Sequence, residues 1–216
     1  MTSLSWITLL AFALSVAFCL GFRGLAREWH LIDIPDARKR HDGNVPLCGG
    51  IAILLSFSAT AFLAVGVSGH ANAVTLLPGL VLILVTGVLD DRFNLPVAPR
   101  LAIQLLAALL IIAITGIRQT YLGLVPDGVG TAAMPAQAMA IQFLTGPLFL
   151  IIALAFIVGL VNAVNMSDGV DGLAGSSSAA AFFWLAVIGF GTGEHRLGLQ
   201  ALALTAACLG FLVFSM

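Results

Sequence analysis

Residues 72–117 read NAVTLLPGLVLILVTGVLDDRFNLPVAPRLAIQLLAALLIIAITGI. Two apolar runs, about 72–89 and 99–117, flank a short segment holding Asp90, Asp91, Arg92 and Arg100. A bilayer core of about 30 Å takes about 20 apolar residues as a helix, so each run can cross it and the charges fall at a membrane edge. Working outward, similar runs lie at about 3–22, 47–67, 138–161, 172–190 and 198–216. Of the 216 residues, 60% are hydrophobic and 9% charged, against roughly half and about a quarter in a soluble domain. The continuous Leu, Ala, Ile and Val runs lack the alternation of a β-barrel strand. The expected fold is an all-α polytopic membrane bundle of about seven transmembrane helices, because helices satisfy every backbone group in lipid.

Charge placement predicts orientation. Arg23, Arg27, Arg38, Lys39, Arg40, Arg92 and Arg100 fall on one side and Arg118 and Arg196 on the other, which makes the first side cytoplasmic and puts the N-terminus outside. Eight of the ten carboxylates share the cytoplasmic side. The first run has no basic residue before it and no small-residue cleavage site after it, so it reads as a membrane helix and not a signal peptide. Cys19, Cys48 and Cys208 have neither CxxC spacing nor a disulfide pattern and read as small core residues. The basic residues are too few and too near the bilayer for nucleic-acid binding. No repeat or soluble domain interrupts residues 1–216, which are read as a single integral membrane domain. The last run ends at Met216 without a polar flank, so the expectation is the N-terminal portion of a larger bundle.

Three segments carry chemistry. Asp90 and Asp91 close an apolar run at a helix C-terminus, where negative charge is disfavoured. A cation must compensate, either Arg92 or Arg100 in an ion pair or a divalent metal such as Mg²⁺, which takes carboxylate and phosphate oxygens. In the second segment, Asn162, Asn165, Asp168 and Asp171 recur every third residue. A helical turn would bring such a series to one face, whereas capping accounts for one of the four. The run Gly172 to Ser178 that follows is suited to phosphate at a helix N-terminus or to close packing through small residues. The third segment, residues 33–50, places Arg38, Lys39, Arg40 and His41 where they can touch lipid headgroups or hold phosphate oxygens.

Together the segments DIPDARKRHDGNVPLCGG (33–50), LDDRFNLPVAPRLAIQ (89–104) and NAVNMSDGVDGLAG (162–175) resemble the polyprenyl-phosphate N-acetylhexosamine-1-phosphate transferases, glycosyltransferase family 4. The likeness is nearer to the undecaprenyl-phosphate GlcNAc-1-phosphate branch than to the phospho-muramoyl-pentapeptide translocases. It implies transfer of a sugar-1-phosphate from a UDP-N-acetylhexosamine to polyprenyl phosphate at the cytoplasmic face of a bacterial inner membrane, for cell-surface polysaccharide synthesis. By matched position it implies Asp90, Asp91 and Asp168 as catalytic carboxylates and Asn165, Asp171 and Asp91 as Mg²⁺ ligands, with Mn²⁺ the alternative ion. Asp33, Arg38, Lys39, His41, Asn162 and Gly172 are the implied substrate-binding positions. Family members have ten or eleven helices and a later His-rich loop, so a truncated non-catalytic member is one alternative reading. An ion-coupled transporter is another, disfavoured because its ionisable groups belong near the midplane and these sit at helix ends. Gly- and Ala-rich helices such as the fourth are compatible with a homodimer and equally with intramolecular packing.

Overall fold

In the computed structural model, residues 2–28, 32–33, 45–46, 49–68, 72–93, 95–115, 136–167 and 172–215 are described. The elements are α1 (Thr2–Glu28), β1 (Ile32–Asp33), β2 (Val45–Pro46), α2 (Gly49–Ser68), α3 (Asn72–Thr75), α4 (Leu77–Phe93), α5 (Val97–Thr115), α6 (Ala136–Ser167), α7 (Leu173–Gly191) and α8 (His195–Ser215). The fold is all-α. Its one strand pairing among the described residues is antiparallel, Ile32 opposite Pro46 and Asp33 opposite Val45, between the ends of α1 and α2.

Each of the seven expected runs forms a long helix; the first continues past residue 22 to Glu28, and the third and fifth also differ at their bounds. The third run divides at Leu76 into the single turn α3 and the longer α4. Pro78 falls in the first turn of α4, where its missing N–H costs nothing, and Leu80 N bonds Leu76 O at 3.1 Å. The fifth run continues past residue 161 to Ser167, because no Gly or Pro stops it before Gly169. Among the described residues five helical spans are long and apolar enough to cross a membrane: Trp6–Ala26, Val97–Ile114, Leu148–Ser167, Leu173–Gly191 and His195–Phe214.

Two helices act as hubs. α8 packs on α7, α1 and α2, and α5 packs on α4 and α6. The α1–α8 seam is built from small residues: Ala11, Ser15 and Cys19, four apart on α1, face Ala203, Ala206 and Ala207 of α8, all buried. Small side chains let two backbones approach closely in lipid, and here Ser15 Oγ donates to Ala207 O at 2.7 Å across the seam. Buried hydroxyls elsewhere donate within their own helices, Thr60 to Ser56 O at 2.8 Å, Thr86 to Leu82 O at 2.7 Å and Thr205 to Ala201 O at 2.9 Å. Lipid offers them no other acceptor.

The pairings also give direction. Ala26 of α1 packs on Val88 of α4, Arg23 lies 5.3 Å from the Phe214 ring centroid, and Phe211 touches both Gly49 and Gly175. The C-terminal ends of α1, α4 and α8 and the N-terminal ends of α2 and α7 therefore collect at one end of the bundle. The described residues of the polar motifs lie at that end.

Candidate active site

Asp90 and Asp91 occupy the last turn of α4, and adjacent helical residues point about 100° apart. Asp90 turns toward α5, where Arg100 Nη1 donates to its Oδ2 at 2.8 Å. The pair is largely withdrawn from solvent, with 13% of the Asp90 side chain and 26% of the Arg100 side chain exposed. Asp91 is exposed. The two carboxylates thus differ in exposure, Asp90 drawn in against the Arg100 guanidinium and Asp91 at the surface. Of the two cations the sequence offered, Arg100 meets Asp90, while Arg92 lies 5.4 Å from the Phe93 ring centroid.

Four residues beyond Arg100 on α5, and so on the same helix face, Gln104 is only 5% exposed. Asn162 Nδ2 of α6 donates to its Oε1 at 2.6 Å and to the Val158 carbonyl at 2.8 Å. Two turns of α5 therefore hold the second polar segment to the first. Gln104 had no role in the sequence reading. The signal available was a lone amide in the apolar run LAIQLLAALL, one turn from an arginine, where a polar group inside a membrane helix needs a partner.

Asn165 lies one turn further along α6 and is exposed. Beyond it, Gly172 adopts φ 72° and ψ −4° at the start of α7, a left-handed conformation suited to glycine. Gly172, at the N-cap of α7, makes no side-chain cap. The serines of that turn point back along the helix, Ser176 Oγ to Leu173 O at 3.2 Å and Ser177 Oγ to Leu173 O at 2.7 Å. Gly175 is packed closely against Phe211 and Leu212 of α8, so it serves helix packing. Asp33 is located through its backbone, opposite Val45. Asp168, Asp171, Arg38, Lys39 and His41 lie outside the described residues.

Among the described residues no three His, Cys, Asp or Glu side chains converge. The donors that are described at this end, the Asp91 carboxylate and the Asn165 amide oxygen, are of the kind a hard cation takes.

Glycosyl transferase family 4 matches the chain over residues 73–216. The undecaprenyl-phosphate alpha-N-acetylglucosaminyl 1-phosphate transferase of Yersinia pestis is 29% identical over 95% of this chain and 52% of its own length. Its counterpart in Escherichia coli strain K12 is 28% identical over the same shares. The phospho-N-acetylmuramoyl-pentapeptide-transferase of Halalkalibacterium halodurans is 32% identical over 84% of this chain and 55% of its own. Both branches of the expected family are represented, and the chain spans about half the length of the curated relatives it matches.

Proposed function

We propose, because this chain belongs to glycosyl transferase family 4, that its gene product transfers N-acetylhexosamine-1-phosphate from a UDP-sugar to polyprenyl phosphate. The observation that carries the reading is the joining of the two acidic and amide motifs, on α4 and α6, through Arg100 and Gln104 of α5. In the proposed reaction an oxygen of the lipid phosphate forms a bond to the sugar-bearing phosphorus. The bond from that phosphorus to the bridging oxygen of UMP breaks, and UMP leaves. Such transfers depend on positioning and on neutralising phosphate charge. Magnesium, when bound, would supply charge neutralisation across the diphosphate, and Asp91, Asn165 and Asp171 are its proposed ligands.

Asp90, fixed by Arg100, is proposed to order the approach of the attacking lipid phosphate, and Asp168 to act beside it as a further carboxylate. Asp33, Arg38, Lys39 and His41 are proposed to hold substrate phosphate oxygens, with Asn162 and the Gly172 turn on the nucleotide-sugar side. The site would face the cytoplasm of a bacterial inner membrane. The test uses membranes carrying the full gene product, radiolabelled UDP-N-acetylglucosamine, undecaprenyl phosphate and Mg²⁺. The expected result is a lipid-linked radiolabelled sugar with equimolar UMP, lost in Asp91→Asn. No lipid product from any UDP-N-acetylhexosamine would overturn the proposal.

A further inference from the structure

We propose that Gln104 is a positioning residue that fixes the amide of Asn162, so that Asn162 Oδ1 is presented as a hydrogen-bond acceptor to the nucleotide-sugar. The inference rests on the transferase reading above and deepens it. Among the described residues six polar side chains are buried: Ser15, Ser56, Thr60, Thr86, Gln104 and Thr205. The five hydroxyls donate to backbone carbonyls, which is how a membrane helix disposes of a small polar group. Gln104 differs in binding another side chain, and that side chain belongs to a motif.

The orientation of Asn162 follows from its partners. The Val158 carbonyl and Gln104 Oε1 both meet the nitrogen end of the amide, at 2.8 and 2.6 Å, and a carbonyl only accepts, so the NH₂ group must face it. Both amide hydrogens are then engaged. What Asn162 can offer a ligand is its oxygen, which selects for a partner carrying N–H or O–H. An ionised lipid phosphate has neither to give, whereas a UDP-N-acetylhexosamine has an imide N–H, an acetamido N–H and hydroxyls. The acceptor therefore suits the nucleotide-sugar. Four residues away on the same face, Arg100 holds Asp90, so one helix face sets both the Asn162 amide and the Asp90 carboxylate.

The test is a double-mutant cycle in membranes of the full gene product, read as initial rates against UDP-N-acetylglucosamine at saturating undecaprenyl phosphate. Gln104→Met keeps volume and removes the acceptor. Loss of one such hydrogen bond is expected to lower kcat/KM about tenfold, mainly through KM. Asn162→Ala is expected to show the same split, and adding Gln104→Met to it should change nothing further, since the residue it positions is gone. Melting temperature in detergent is followed in parallel. If Gln104→Met does not accumulate, Gln104→Asn, polar but one methylene short, replaces it with the same expectation. Full activity of the Gln104 variants, or effects that multiply independently with Asn162→Ala, would overturn the inference while leaving the transferase reading intact. An inactive wild type would instead remove that reading.

Discussion

Asp90 is held in place by the guanidinium of Arg100. Asp90 is 13% exposed, and a carboxylate so withdrawn from water is costly once its partner is removed. Arg100→Ala is therefore expected to destabilise the protein by about 1–3 kcal/mol, the usual cost of orphaning a buried polar group. Release of Asp90 from its set position should lower kcat by about 100-fold, the scale of loss from a small misplacement at a reacting centre. Arg100→Lys keeps the charge but replaces a planar fork with a point donor, and should fall between the two, at about tenfold. Steady-state rates with detergent melting curves check both. A fully active, equally stable Arg100→Ala would mean that the ion pair is only a surface contact. The sequence made this pairing one of two options, Arg92 or Arg100. Spacing alone could not choose, because α4 and α5 meet as antiparallel helices and the partner in space is ten residues away in the chain.

Packing between elements depends on where a Cβ can fit. On α8, a Cβ added at Gly210 would lie 2.8 Å from the Phe12 carbonyl oxygen and 2.8 Å from Ser15 Cβ, and a backbone oxygen cannot move aside. Gly210→Ala should therefore cost about 1–3 kcal/mol by overpacking the α1–α8 seam, seen as a fall of a few degrees in melting temperature, about 2–4 °C per kcal/mol at this chain length. Gly24 of α1 is exposed and has nothing within 4 Å of such a Cβ. Gly24→Ala should be neutral or stabilising by up to about 1 kcal/mol through helix propensity. Equal destabilisation by both would contradict the seam. At this scale the sequence was most legible. Long apolar runs fixed the seven helices, since a bilayer leaves few other backbone solutions, and the small residues of the seam, Ala11, Ser15 and Cys19, stand four apart for any reader. What it hid was partner choice. Periodicity states that a face is small or apolar, but α8 could have met any helix, and only the assembled bundle shows Phe211 lying against Gly49 and Gly175 from two other helices.

For the whole molecule the charge distribution predicts which way it sits in the membrane. Large side chains face outward along the spans, among them Trp6, Ile151, Phe156 and Trp184, each more than 60% exposed, as lipid contact would have it. The helix pairings place the ends of α4 and α6 together and the α7–α8 turn, Thr192 to Glu194, at the other end. Seven of the nine basic residues precede α2 or lie in the last turn of α4 or at the start of α5, so the positive-inside rule predicts that this end faces the cytoplasm. Labelling with a membrane-impermeant maleimide checks this in intact cells. Cys19 and Cys208 are each 2% exposed and should stay silent, and Cys48 is replaced by Ser. Thr192→Cys should then label in intact cells, whereas Phe93→Cys, at a site 61% exposed, should label only after the membrane is opened. The opposite pattern would place the acidic end outside and separate the proposed site from cytoplasmic nucleotide-sugars. Labelling of both from one side would break the antiparallel arrangement itself, because α7 and α8 join at one end of the bundle while Asp90, Arg100, Gln104 and Asn162 meet at the other.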